Sequence, residues 1–169
     1  RVLFRSVCKE ILRIGEQLGL NEDESRLAEA IALLHDVGRF EQYARYRTFM
    51  DRDSKNHAEL GIEILEKFGV LDSFEKFEKD IVLRAIRLHN RAFLPPEEKE
   101  PFSFYAKLIR DADKLDIWKV VIDYYYRKEN GRNASIELDL PDTAGFSKDV
   151  YRNLINKRVV NIEHIKNLN

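Results

Sequence analysis

The chain has 169 residues, 44% hydrophobic and 35% charged, and its 29 Lys and Arg against 30 Asp and Glu leave a formal net charge of −1. That length suits one compact domain over residues 1–169, and the balanced charge supplies no field that would make nucleic acid or an anionic membrane an obligate partner. Cys8 is the only cysteine, which excludes an internal disulfide. No apolar run nears the roughly 20 residues of a membrane span and no signal peptide is visible, so a cytoplasmic setting is expected.

Val2, Leu3, Val7, Ile11, Ile14 and Leu18 recur at helical spacing and predict an amphipathic helix over residues 1–19, closed by Gly19. Asn21, with Glu24 three residues on, caps a second helix. That helix is expected to bury Leu27, Ala30, Ile31 and Leu34 and to carry His35-Asp36 at its C-terminal end. Residues 38–55 lack clean periodicity and read as a structured loop or short broken helices. Ser54 or Asn56 starts a third helix, which carries His57, Leu60, Gly61, Ile64 and Leu65 to Phe68-Gly69. Residues 74–90 predict a fourth, with Phe77, Ile81, Leu83, Ile86 and His89 available inward. Pro95, Pro96 and Pro101 mark the next loop. Residues 102–126 follow as a long helix with Ile109, Ala112, Leu115, Ile117, Val120 and Val121. A polar loop is expected over residues 127–146, with room for short structure. Ser147 then caps a last helical segment, residues 147–168, through Val150, Leu154, Ile155, Val159, Ile162 and Ile165. The expected fold is all-α, a single-domain helical bundle of about six to eight helices around a buried His/Asp metal site.

Three of the four histidines stand beside apolar runs at helix ends: His35, His57 and His89. Asp36 follows His35 directly, and Asp113 lies in the long helix beside Ala112, a residue small enough to let another helix approach. Imidazole and carboxylate both ligate divalent ions, and helical bundles build metal sites from inward-facing ligands on several helices. His35, Asp36, His57, His89 and Asp113 are therefore the candidate metal ligands. Neighbours on an ideal helix diverge by about 100°, so His35 and Asp36 can serve one ion only where the helix end loosens, as Gly38 permits. Each of these residues also has a plainer reading as a cap or surface charge. His164, in a polar tail, is given a structural or surface role.

Together, His35-Asp36, His57, His89 and Ala112-Asp113-Lys114 resemble the HD superfamily of metal-dependent phosphohydrolases, in the subgroup with extra histidines. The resemblance runs from residue 1 to about residue 118, and the C-terminal third carries no signature of the family. It implies an all-α fold whose His/Asp cluster holds divalent metal and cleaves phosphate esters or anhydrides. It further implies that His35, Asp36 and Asp113 hold a first metal, and that Asp36 bridges to a second, held with His57 and His89. A further histidine is implied a few residues before a pair like Arg1-Val2, so a truncated first helix is expected.

One or two divalent transition ions are expected, because a His/Asp set without thiolate suits Mn, Fe, Co, Ni or Zn better than Mg. Such ions activate water and neutralise phosphoryl oxygens. Asp36 stands at the centre of that chemistry, with Arg39 and Lys114 as candidates for stabilising transition-state charge. Either cation reads equally well as solvent-facing. Residues 40–49 interleave Phe40, Tyr43, Tyr46 and Phe49 with Arg45 and Arg47. That pattern suits a stacked base with its phosphates on arginine, or aromatics that simply pack the loop. Asp51, Ser54 and Asn56 are candidates for orienting His57. The expected activity is hydrolysis of a phosphomonoester or phosphoanhydride of a small metabolite, with a nucleotide the leading substrate. Two other classes stand beside it: a non-catalytic nucleotide- or ligand-binding regulatory HD domain, and a helical interaction module whose His and Asp are incidental.

Overall fold

Caps and apolar periodicity set most helix boundaries in the computed structural model, which describes residues 3–127, 131 and 133–168. Val2, the side chains of Leu3 and Ile162, and residues 128–130 and 132 of the expected 127–146 loop lie outside the described residues. Six helices come first: α1 (Leu3–Leu18), α2 (Glu22–Leu34), α3 (Gly38–Tyr46), α4 (His57–Lys67), α5 (Lys76–Leu88) and α6 (Phe102–Tyr126). Short helices α7 (Ala134–Glu137) and α8 (Lys148–Ile155) follow, and 3-10 turns form at Asp51–Asp53 and Ile162–His164. Every regular element among the described residues is helical, as expected. None of these helices is long and apolar enough to cross a membrane.

Asn21 caps α2 through a reciprocal box with Glu24, and Asn56 caps α4 by accepting from the backbone N–H of Ala58 and Glu59. Both caps satisfy first-turn donors that would otherwise be orphaned. The fourth helix starts at Lys76, later than expected, where Glu75 and Glu78 cap each other's backbone.

The chain divides into two compact units, Arg1–Val120 and Val121–Asn169. In the first, α1 packs on α2, α2 on α5, and α4 on both α3 and α5. The core joins Val7 and Ile11 of α1, Ala28 and Ile31 of α2, Ile62 and Leu65 of α4, Val82 and Ile86 of α5, and Leu108 and Ile109 of α6. Ile11, Ile31, Ile86 and Ile109 are wholly buried, each contributing about 1.5–3 kcal/mol of hydrophobic stabilisation. On α5 Ile81 and Ile86, and His89 at its end, are buried as expected and Val82 and Ala85 join them, while Phe77 is exposed.

Residues 38–55 take the broken-helix form of the two expected, and one boundary further on differs from the expectation. Residues 38–46 form a regular helix, yet its buried residues are Gly38 and Gln42. One has no side chain and the other is polar, so hydrophobic periodicity cannot report that face. The last helix stops at Ile155 instead of running on through Ile165. Lys157 adopts φ 53°, and Arg158 N donates to Asn153 O at 2.9 Å while Lys157 N donates to Leu154 O at 3.0 Å. This is a Schellman closure, built here on a lysine in the left-handed region. Within the second unit, Tyr124 Oη donates to buried Glu137 at 2.5 Å and accepts from Asn133 N at 2.9 Å.

Candidate metal centre

Helix α2 does not loosen where it delivers His35-Asp36; it tightens. His35 and Val37 keep right-handed helical dihedrals, and Val37 N donates to Leu34 O and Arg39 N to Asp36 O at 3.1 and 2.9 Å. These i→i+3 bonds form a 3-10-like turn that runs directly into α3. Gly38 serves a different purpose from the one expected of it. A Cβ at this position would lie 2.0 Å from His57 O and 2.5 Å from Gly61 N, so its bare backbone lets α3 press against the first turns of α4. That close approach sets Asp36 beside His57.

Three imidazoles converge on Asp36, and in each the Nδ1 proton is already committed. His35 Nδ1 donates to Ala32 O at 2.8 Å and His89 Nδ1 to Ile86 O at 2.6 Å, each within its own helix turn. His57 Nδ1 donates to the Asp51 carboxylate at 2.8 Å. The neutral tautomer these partners select leaves the Nε2 lone pairs facing the same space. His57 Nε2 lies 3.2 Å from Asp36 Oδ1, His89 Nε2 3.6 Å from the same oxygen, and His35 Nε2 3.7 Å from Asp36 Oδ2. Asp113, projecting from α6, brings Oδ1 to 3.8 Å from His35 Nε2. The structure thus gathers all five expected ligands.

A divalent cation fits this constellation. His35 Nε2 and Asp36 Oδ1 are buried with no hydrogen-bond partner among the described residues, a state that costs several kcal/mol unless something else satisfies them. His57 Nε2 and His89 Nε2 face each other at 3.0 Å, where two lone pairs repel unless a cation or proton lies against them. Donor atoms of His35, Asp36 and His89 all lie within 4.8 Å of one another. The nitrogen and carboxylate donors match a borderline transition ion.

Behind His57 lies a network that the sequence reading captured only in part. Asp51 was expected to orient His57 and does so through both carboxylate oxygens, while also accepting from the His57 backbone N–H at 3.1 Å. Gln42, fully buried, donates to Asp51 Oδ1 and Ser54 Oγ, both at 2.8 Å. Asn90 donates to Asp51 Oδ2 and to Asn56 Oδ1, both at 3.1 Å. Ser54 and Asn56 therefore act one step removed, through Gln42 and Asn90. Arg39 donates to Phe49 O at 2.7 Å and Gln42 Oε1 at 3.2 Å, and its Nε lies 3.4 Å from Asp36 Oδ1. Lys114 is half exposed, with Nζ 3.2 Å from Asp113 Oδ2.

The electrostatics follow from this crowding. Burial alone would raise the Asp36 carboxyl, but the imidazoles of His57 and His89 set against it and the charges of His35 and Arg39 hold it well below the usual carboxylate range. Burial is likewise outweighed at Asp51, by His57 and Gln42, and at Asp113, by His35 and Lys114; both carboxyls are lowered. The histidines diverge. Burial opposes protonation of His35, yet Asp113 and Asp36 overcome it and raise its pKa. At His89, burial and the charge of His35 prevail over the pull of Asp36, and its pKa is lowered.

The cluster opens into a cavity of about 790 Å³. Arg39, Lys114, Asn90 and Asp116 supply polar groups to its wall, and Phe40, Tyr43, Phe49, Val7 and Ile117 the apolar ones. Tyr43 and Phe49 stack with ring centroids 4.9 Å apart. Asp116 is the wall residue the sequence reading missed. Its one signal is the three-residue step from Asp113, which places both on one face of α6.

An arrangement of this kind defines a class before it defines a reaction. The HD domain family matches residues 5–118, and the chain belongs to that family. It is also 33% identical over 107 residues to the Bacillus subtilis (strain 168) protein named "Putative phosphohydrolase YueE", an alignment covering 62% of this chain and 58% of that protein. The chain thus spans little more than half the length of the curated relative it matches. No solved structure matches it.

Proposed function

We propose that the chain is a metal-dependent phosphohydrolase that cleaves a phosphomonoester or phosphoanhydride of a small metabolite, with a nucleotide as substrate. The observation that supports this reading is the convergence of three Nε2 lone pairs and two carboxylates on buried atoms that lack hydrogen-bond partners. His35, Asp36, His57, His89 and Asp113 would hold one or two divalent transition ions. When bound, such ions lower the pKa of water toward neutrality and neutralise charge on phosphoryl oxygens. The protein's own groups supply the rest. Asp51 and the carbonyls of Ala32 and Ile86 fix each imidazole in its ligating tautomer. Lys114, on the cavity wall, would contact phosphoryl oxygens. Arg39 contributes positive charge from the same wall while its Nη1 ties the Phe49 segment in place. The stacked Tyr43–Phe49 pair offers a π-face for a base.

The test pairs metal analysis with a substrate screen. Protein purified without added metal is expected to carry a transition metal that Asp36→Ala loses, and to release phosphate from nucleotides but not from their non-hydrolysable analogues. A metal-replete protein inert toward a broad panel of phosphate esters and anhydrides would sink the proposal.

A further inference from the structure

Asp116 is the one carboxylate on the cavity wall that the metal cluster does not use. It is 5% exposed, a burial at which a carboxylate ordinarily has a cation close by. None pairs with it among the described residues; its hydrogen-bond partner is the Ser6 hydroxyl, which donates to Oδ1. Oδ2 has no partner among them. Ser6 lies on α1 and Asp116 on α6, so their hydrogen bond ties two helices together at the edge of the cavity that Asp116 lines. Each is followed by an apolar wall residue, Val7 and Ile117.

A carboxylate that no side-chain cation faces among the described residues offers its free oxygen to a hydrogen-bond donor. It repels phosphoryl oxygens, so the charged end of a phosphate ester belongs on the other side, at the His/Asp cluster beside Lys114. The donor must therefore come from the organic part of the molecule. Val7 and Ile117 beside the carboxylate suit a group with apolar C–H faces and a hydroxyl rim, which is the chemistry of a sugar. Asp113 and Asp116 are three residues apart on α6, about 4.5 Å along its axis, so a phosphoryl group at one and a ring hydroxyl at the other can belong to one small sugar phosphate.

The geometry points to Asp116 as a hydroxyl-recognition subsite: Oδ2 accepts from a sugar hydroxyl of the substrate, while Ser6 holds Oδ1 and fixes the carboxylate's orientation. This rests on the phosphohydrolase reading for the position of the phosphoryl group, and it assigns specificity to a residue outside the metal ligands.

Adenosine 5′-monophosphate and its 2′-deoxy and 3′-deoxy counterparts test it, by calorimetric binding to Mn²⁺-supplemented protein and by phosphate release in parallel. One deoxy compound is expected to bind about ten- to hundredfold more weakly than the parent, because it lacks the hydroxyl that would donate to the carboxylate. In Asp116→Leu, which removes the acceptor at similar volume, the parent's affinity should fall toward that of the same deoxy compound, whose own affinity stays put. Equal binding of all three to the wild type, binding of none, or a folded Asp116→Leu that keeps the preference would each overturn the subsite. The wild-type comparison decides alone if the variant does not fold. A hydroxyl preference in binding without phosphate release would count against hydrolysis of nucleoside monophosphates and leave the subsite standing; phosphate release without preference would do the reverse.

Discussion

His35 and His89 are oriented in one way, and His57 in another. The first two donate Nδ1 to a carbonyl three residues back in their own chain segment, so the helix that carries each ring also aims it. His57 is aimed by Asp51, six residues earlier in sequence, and Asp51 is held in turn by Gln42 and Asn90. Local support uses backbone groups that no side-chain substitution removes. Long-range support depends on several side chains and on the approach of α3 to α4, and can be lost at positions that touch no ligand.

The largest break in that contrast should come at Gly38. Its Cβ would fall on backbone atoms of α4, not on a flexible side chain, so Gly38→Ala is expected to cost about 1–3 kcal/mol and to weaken metal retention by moving Asp36 from His57. Urea unfolding and metal analysis read the two effects. Gly61→Ala sharpens the point: its nearest contacts would be 3.3 and 3.4 Å, and its loss of stability should be clearly smaller. Asp51→Ala comes next, with metal affinity down by about 10- to 100-fold through loss of the partner that aims His57, measured by competition with a chromophoric chelator. Gln42→Leu should follow in the same direction at about tenfold, since Asp51 keeps its bonds to His57 and Asn90. If Gln42→Leu matched Asp51→Ala, the support would be a single cooperative unit instead of a graded one.

The smallest expected effect is on acid stability of the metal-free protein. Asp36, Asp51 and Asp113 all titrate below the 3.8 of a free carboxyl when folded, so the unfolded chain takes up protons first. Their stabilising contribution is complete above that value and is lost as pH falls through it toward the folded values. His35 and His89 shift in opposite directions from 6.5. The first adds stability below 6.5 that fades as pH rises through its raised folded value; the second removes stability as pH falls below 6.5. In chelator, the urea midpoint should change little from pH 7 to 5 and drop below about pH 4. A flat profile down to pH 3 would contradict the carboxylate directions.

The three histidines were readable because each stands beside an apolar run whose period reveals its helix, and Asp36 and Asp113 because their order along the chain resembles that of the HD family. What the sequence concealed has a common cause: burial without hydrophobicity. Helix α3 buries Gly38 and Gln42, so neither its regularity nor the role of Gln42 in holding Asp51 leaves an apolar trace. Asp116 reads as one more charge in a charged helix near Asp111 and Asp113, and only its burial sets it apart. At the other end of the chain the error reverses. Leu154, Ile155 and Val159 have helical spacing yet are exposed, and Lys157 ends the helix in a conformation that a lysine does not announce.

The bonds from His35 to Ala32 and from His89 to Ile86 make these imidazoles part of two helix termini. An ion gripped there would tie the α2–α3 junction to the C-terminal turn of α5, so local opening of either would have to release it, and amide hydrogen exchange at the C-terminal turns of α2 and α5 should slow when the site fills and quicken when it empties. Those two short stretches of backbone then become an occupancy gauge, legible without any substrate or turnover.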